Sequence, residues 1–296
     1  MIMIEVMIPV FLVFLIGYIG QKTLKLHIKS ISTAAIYLMT PALIFRTFYN
    51  TKFDSTYLQI LTYGILLTFF IILLIEVIFR FKGYDSTQKS ALVLTSAFMN
   101  NGNLGAPVIL FAFGETAFQY AVVIMVFHTV IMSTVGLYYA AKGHLKIEDA
   151  LLSVVKMPII HTCLLGLIWQ IFNFPLPQNI YKAIDLIANA AIPTIMLVLG
   201  MQLAEIKLND LQWREAFPAL IIRLIISPII AWCIILMLPV STLLGRVMIV
   251  EAAMPSATFT AMYALQFDCK PDLVSSTTFI STLFSIVTLS ILLSFI

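Results

Sequence analysis

The chain has 296 residues, of which 61% are hydrophobic and 10% are charged, and its formal net charge at pH 7 is +3. Soluble domains carry about 25% charged residues, so this composition excludes a water-soluble fold and indicates an integral membrane protein. The small net charge argues against nucleic-acid binding, and the three cysteines form no pattern typical of a disulfide framework or a metal site.

Ten apolar segments, joined by short loops, follow one another along the chain. Their lengths predict an all-α membrane protein with ten transmembrane helices and no separate soluble domain. The predicted spans are 3–20, 30–49, 57–79, 88–113, 117–140, 151–172, 180–203, 214–238, 243–267 and 273–296.

The lysines and arginines set the expected orientation. Twelve lie in or near loops that follow odd-numbered segments, four lie in or near loops that follow even-numbered segments, and Arg223 lies well inside a segment. Because cytoplasmic loops are enriched in Lys and Arg, the odd-numbered loops are expected in the cytoplasm. The prediction is a multi-pass protein of the cytoplasmic (inner) membrane with both termini outside.

The chain divides into two similar halves, 1–146 and 147–296. Pro41 in the second segment has a counterpart in Pro193 in the seventh, and Pro107 in the fourth has a counterpart in Pro255 in the ninth. Since each half has five segments, an odd number, the second half crosses the membrane inverted relative to the first. An inverted repeat with interrupted helices at matching positions is typical of secondary transporters.

The stretch NNGNLGAPV at 100–108 interrupts the fourth segment at mid-membrane. Asn101-Gly102 is a turn signal, and Pro107 has no backbone N–H and clashes with the preceding turn of a helix. The helix is therefore expected to unwind there, which lipid tolerates only where protein or a water-filled cavity surrounds the open backbone.

A second half-helix is expected to begin near Leu104 to Pro107, with Asn103 as its N-cap. Its free N–H groups and positive dipole end would bind an anion, and the asparagines add uncharged donors and acceptors. In the ninth segment, Pro255 is followed by Ser256 and Thr258, which can bond freed backbone groups or a ligand.

Four further polar residues lie inside segments, where ionisable groups are costly and often functional. Glu251 is a candidate carrier of a coupling proton or sodium ion, or else the structural partner of a cation. Arg223 is a candidate partner for Glu251 or for a substrate carboxylate, unless it reaches to the interface. His128 is a candidate proton relay or a packing residue, and Asn189 is a candidate wall of the site.

The pair NNGNLGAP and EAAMPSATFTAMYALQFD resembles the signature of the auxin efflux carrier family, whose prokaryotic members include candidate malate and malonate permeases. The resemblance implies that the fourth and ninth helices cross at Pro107 and Pro255 and that substrate binds beside the crossing. It implies a scaffold of helices 1, 2, 6 and 7, a transport domain of helices 3–5 and 8–10, elevator-like movement and a homodimer. The chain lacks the long central loop of the plant carriers.

The predicted function is secondary transport of a small organic anion, a carboxylate such as malate or an auxin-like acid. An anion channel or a membrane receptor of the same architecture is the alternative. An intramembrane enzyme is disfavoured because no facing aspartates, Gly-x-Ser-x-Gly stretch or clustered histidines occur, and no cofactor or metal is expected. The predicted substrate-binding residues are Asn100, Asn101, Asn103, Gly105, Pro107, Pro255, Ser256, Thr258, Arg223 and Asn189, with Glu251 and His128 for coupling.

Overall fold

A computed structural model describes residues 2–52, 54–82, 85–141, 148, 152, 154–205 and 211–296. Across these ranges the chain is all-helical, as predicted, and an isolated bridge is the nearest approach to a β-strand. The helices are α1 (Ile2–Leu24), α2 (Ile28–Asn50), α3 (Ser55–Lys82), α4 (Ser86–Ala97), α5 (Asn101–Ala140), α6 (Pro158–Ile171), α7 (Gln178–Glu205), α8 (Trp213–Ile235), α9 (Thr242–Ala252), α10 (Thr258–Gln266) and α11 (Pro271–Phe295).

Seven of the described helices, α1, α2, α3, α5, α7, α8 and α11, are long and apolar enough to cross a membrane. Large apolar side chains cover their outer faces; Ile16 on α1, for example, is 61% exposed. Such a surface suits lipid, and a helix satisfies its own backbone hydrogen bonds there. The chain is therefore a multi-pass integral membrane protein.

The helix α5 has 40 residues, which in a straight helix would span about twice the hydrocarbon core of a bilayer. Gly114 divides it, because its backbone is non-helical with φ 78° and ψ −171°. This angle lies in the region open to glycine, and the bend falls between the predicted segments 88–113 and 117–140.

Three predicted segments differ from the observed helices. Segment 88–113 comprises α4 and the start of α5, and segment 243–267 comprises α9 and α10, so each is interrupted. Segment 151–172 begins partly outside the described residues, and its described helix α6 has 14 residues, shorter than predicted.

Close helix packing holds α1 against α7. A Cβ atom at Gly17 would overlap the carbonyl of Leu197, and one at Gly200 would overlap the carbonyl of Phe14. A second such pair is α2 with α6, where Gly166 lies against the backbone of Phe45. Because glycine has no side chain, the two helix backbones approach closely. The helices α3, α4, α5, α8, α9, α10 and α11 contact one another beside this group.

Candidate functional site

The interruptions at 98–100 and 253–257 lie against each other. The N–H of Asn100 donates to the carbonyl of Pro255 at 2.8 Å, and the N–H of Ala257 donates to the carbonyl of Phe98 at 2.9 Å. These bonds form an antiparallel bridge centred on Met99 and Ser256. The backbone N–H and C=O groups in each interruption thus hydrogen-bond to those of the other. Buried backbone polar groups need such partners in an apolar interior.

The last carbonyls of α4 have no N–H donors within the helix, and side chains from elsewhere in the chain donate to them instead. The pairs are Thr95 with the Ser256 hydroxyl (2.5 Å), Ser96 with the Arg223 guanidinium (2.8 Å) and Ala97 with the His128 ring. Ser256, predicted to bond freed backbone or ligand, therefore bonds backbone, and its own N–H is accepted by the hydroxyl of Ser281 at 3.2 Å.

Arg223 contacts both interrupted helices from behind. Besides Ser96, it donates through Nη2 to the carbonyl of Ala252 at the end of α9 and to the hydroxyl of Ser227. The side chain is fully buried and does not line the cavity described below. Among the described ion pairs none joins Arg223 to Glu251, which was one of the two alternative partners expected for Arg223. Backbone carbonyls, and not the Glu251 carboxylate, accept hydrogen bonds from Arg223.

Glu251, on α9, is also fully buried, and neither oxygen of its carboxyl group has a hydrogen-bond partner. The carboxyl lies against the backbone of Gly105, where a Cβ atom would overlap it. Nearby, the Tyr63 hydroxyl donates to the carbonyl of Met248 at 2.7 Å. Glu251 thus joins α9 to the first turn of α5 through contact and not through a bond.

Asn100 is the N-cap of α5, since its side chain accepts the N–H of Asn103 at 3.3 Å. The prediction that Asn103 is the cap is therefore wrong, whereas the α-helical part of α5 begins at Ala106, within the predicted range Leu104 to Pro107. The helix resumes directly at Asn101 through a π-helical turn that ends at Gly105. Pro107 lies in the first turn of the α-helix that follows, where the missing N–H costs little.

The N-terminus of α10 lies beside that of α5. The side-chain amide of Asn103 donates to the hydroxyl of Thr258 at 3.1 Å, which joins the two helix starts. The N-cap position of α10, Ala257, supplies no side-chain cap. The first N–H groups of α10 therefore lack the capping oxygen that serves those of α5.

A cavity of about 160 Å³ opens beside these two N-termini. Four buried polar atoms of its lining have no hydrogen-bond partner: Asn100 Nδ2, both amide atoms of Asn101 and His128 Nε2. Asn101 is 2% exposed, and buried polar atoms without partners are rare unless a ligand or water meets them. The residues that line the cavity therefore hold donors and an acceptor that no group of the protein meets.

The rest of the wall is apolar or uncharged. The described lining contains no Lys, Arg, Asp or Glu, and four methionines, Met99, Met125, Met132 and Met157, form part of it. One side comes from α2, α6 and α7, with Tyr37, Pro158 and Ile195 among the contributors. A second cavity of about 440 Å³ shares Asn103 and Thr258 and extends to Lys29 at the start of α2.

The predicted site residues separate into three groups. Asn100, Asn101, Asn103, Thr258 and His128 line the cavity. Gly105, Pro107, Pro255, Ser256, Arg223 and Glu251 form the frame behind it. Asn189 lies elsewhere on α7, where it accepts from Arg46 at 2.5 Å and donates to Asp185 at 3.2 Å.

Sequence reasoning missed several lining residues, including Tyr37, Thr40, Met125 and Tyr263. Tyr37 and Thr40 lie just before Pro41 on α2. The sequence had drawn attention to Pro41 only as the counterpart of Pro193 in the repeat. No signal in the sequence distinguishes Met125 from the other methionines of the chain.

A multi-pass helical protein with a cavity where two helices are interrupted has the form of a membrane transporter. The chain belongs to the membrane transport protein family, the auxin efflux carrier family, whose profile matches residues 2–293. The resemblance drawn from the sequence is confirmed.

Relatives in this family are named as transporters. An uncharacterized transporter of Methanocaldococcus jannaschii is 30% identical, with 98% of each chain covered. A protein of Rhizobium meliloti provisionally named a malonate transporter is 24% identical over 97% of this chain and 93% of its own. An auxin efflux carrier component 2 of Oryza sativa is 23% identical over 42% of this chain and 20% of its own.

Proposed function

We propose that the protein is a secondary transporter that carries a small organic anion across the cytoplasmic membrane and binds it in the cavity between α5 and α10. The observation that carries this proposal is the convergence of two helix N-termini on one cavity wall that also holds unpartnered asparagine amides. The uncapped N–H groups of α10 and the positive ends of both helix dipoles favour a carboxylate, whereas most of the first N–H groups of α5 are bonded within the chain.

The charge of the lining supports a substrate with a single carboxylate, such as an auxin-like acid, over a dicarboxylate such as malate. The described lining contains no lysine or arginine, so a second carboxylate would be buried without a cation. An unpaired buried charge is costly, whereas methionines and Phe259 suit an apolar body. The relative named for malonate transport makes a dicarboxylate the second candidate.

The proposed architecture has ten membrane passes in two inverted halves, 1–146 and 147–296. In this reading α4 with the start of α5 forms the fourth pass, α5 beyond Gly114 the fifth, and α9 with α10 the ninth. The packing supports the repeat, because α1 lies on α7 and α2 lies on α6. In this repeat α1 corresponds to α6 and α2 corresponds to α7, so the pair α1–α7 becomes the pair α6–α2 when the halves are exchanged.

We place the moving boundary between the scaffold α1, α2, α6 and α7 and the remaining helices. The cavity lies at this boundary, with α2, α6 and α7 on one side and the helix interruptions on the other. Elevator-like movement of the second group would carry the substrate with it. The cavity that reaches Lys29 leads to the side expected to be cytoplasmic, which fits an inward-open state. Assembly as a homodimer through the scaffold completes the proposal.

Glu251 and His128 remain the candidates for coupling. A proton or sodium ion would supply the partner that both oxygens of Glu251 lack, close to the first turn of α5. His128 lines the cavity and its Nε2 has no hydrogen-bond partner, so we expect this nitrogen to meet the substrate or its proton. Neither role requires a cofactor.

Counterflow in proteoliposomes tests the proposal. Vesicles loaded with unlabelled indole-3-acetate should accumulate labelled indole-3-acetate transiently and saturably, and benzoate should compete better than malate or malonate. Better competition by the dicarboxylates would exclude the monocarboxylate assignment. Flux without counterflow would indicate a channel, and binding without flux would indicate a receptor.

A further inference from the structure

We propose that Arg223 is a resident cation: its guanidinium permanently fills a cation site built from the carbonyl ends of both interrupted helices. Without this side chain the site would be open to a free guanidinium or alkali cation. The part of the inference that concerns transport depends on the proposed function, but the part that concerns cation binding does not.

The ligands around the guanidinium are those of a cation site. It donates to the carbonyls of Ser96 and Ala252 and to the hydroxyl of Ser227, and that hydroxyl in turn donates to Ala252 at 2.9 Å. Its Nη2 also lies 3.9 Å from the sulfur of Met99, and its Nε has no hydrogen-bond partner. Carbonyl ends of half-helices coordinate the coupling cation in many transporters with broken helices. Here a fully buried side chain occupies that kind of place.

The electrostatics of the two helices call for a positive charge there. The C-terminal ends of α4 and α9 carry the negative ends of their dipoles, and each presents a carbonyl to Arg223. Glu251, His128 and Tyr63 are the titratable groups nearby, and none makes a described ion pair with the arginine. The positive charge therefore interacts chiefly with backbone carbonyls.

The shape of the guanidinium fits the task of joining two helices. Its planar fork sends Nη1 to α4 and Nη2 to α9, whereas a lysine ammonium is a single point of charge. Arg223 lies in a π-helical turn, Ile222–Ile226, within α8, and such turns often mark functional positions. The arginine is thus a positioning residue that holds the interruptions together while the asparagines meet the substrate.

Chemical rescue of Arg223→Ala tests the proposal. Purified variant protein is heated with guanidinium, methylguanidinium, sodium or potassium chloride at millimolar, non-denaturing concentrations, with urea as the uncharged analogue of the same shape. We expect a lower Tm than wild type and a rise of several degrees with guanidinium, dependent on its concentration, but not with urea. Arg246→Ala, on an exposed arginine, is the matched control and should show no rescue.

Counterflow gives the second readout. Arg223→Ala should lose at least tenfold in transport rate and recover severalfold with guanidinium. Wild-type transport, or a Tm unmoved by every cation in folded variant protein, would overturn the proposal. If Arg223→Ala cannot be purified, Arg223→Lys and Arg223→Met replace it; the charged Lys variant should have the higher Tm of the two, and equal Tm values would overturn the proposal too. If cations raise the Tm of the variant but the wild-type protein transports no substrate, the proposed function is refuted and the cation site is not.

Discussion

Asn100 and Pro255 are joined backbone to backbone, with the N–H of Asn100 donating to the carbonyl of Pro255 at 2.8 Å. The residues are far apart in sequence, yet each lies in the unwound part of its segment. Because the bond is paired with that between Ala257 and Phe98, the two interruptions form one unit. The helices that leave this unit, α5 and α10, both begin at the cavity wall.

The contact between Glu251 and Gly105 predicts a mutational rescue. Gly105→Ala should lower Tm, because the added Cβ overlaps a buried carboxyl group, at a cost of about 1–3 kcal/mol. Glu251→Ala in the same chain should recover most of that loss, as measured by thermal unfolding in detergent. Additive losses in the double variant would show that the two residues do not meet.

Close packing of α1 on α7 predicts strong sensitivity at Gly17. Gly17→Ala should sharply reduce the yield of folded protein, because its Cβ would overlap the backbone of Leu197 and force the helices apart. Gly20→Ala, one turn away on the same helix, meets no atom within 4 Å and should change stability by no more than about 1 kcal/mol. Size-exclusion profiles measure both, and similar profiles would refute the close approach.

Glycine should be required at position 114 because of its positive φ angle and not because a side chain would meet a neighbouring atom. A Cβ would meet nothing within 4 Å, but φ is 78°, so Gly114→Ala should cost about 1–3 kcal/mol. Gly20→Ala is again the matched control. A Cβ atom at Gly20 also meets no atom within 4 Å, but Gly20 does not have the positive φ of Gly114. Equal Tm values for the two variants would contradict the bend that divides α5.

The bond between Asn103 and Thr258 predicts energetic coupling across the cavity wall. Thr258→Val and Asn103→Ala should each weaken substrate binding, and a double-mutant cycle should give a coupling of about 0.5–1.5 kcal/mol. Isothermal titration of wild type and the three variants measures it. A coupling near zero would mean that substrate binding does not depend on this bond.

The sequence predicted the interruptions because their causes are local. Prolines, glycines and an Asn-Gly turn signal disfavour a helix wherever the chain places them, and both marked segments are interrupted in the structure. The cap was assigned wrongly, to Asn103 in place of Asn100, because three asparagines in four positions offer alternative caps. Local chemistry alone does not choose among them.

Tertiary contacts decided the residues that the sequence could not place. The Asn189 side chain accepts a hydrogen bond from Arg46, 143 positions away, and no sequence pattern around either residue indicates that bond. Arg223 faces carbonyls of α4 and α9 because α8 packs with that face inward. Hydropathy identifies a buried arginine but not its acceptors, which belong to the backbone.

The most direct test of the central claim compares Asn101→Ala with Asn189→Ala in the same uptake assay. Asn101 lines the cavity and its two amide atoms have no partner in the protein, so losing their bonds to a charged ligand should lower transport efficiency by roughly 10- to 100-fold. Asn189→Ala makes the same change outside the cavity and should keep near wild-type uptake of labelled indole-3-acetate. Unimpaired uptake by folded Asn101→Ala protein would contradict the placement of the substrate between α5 and α10.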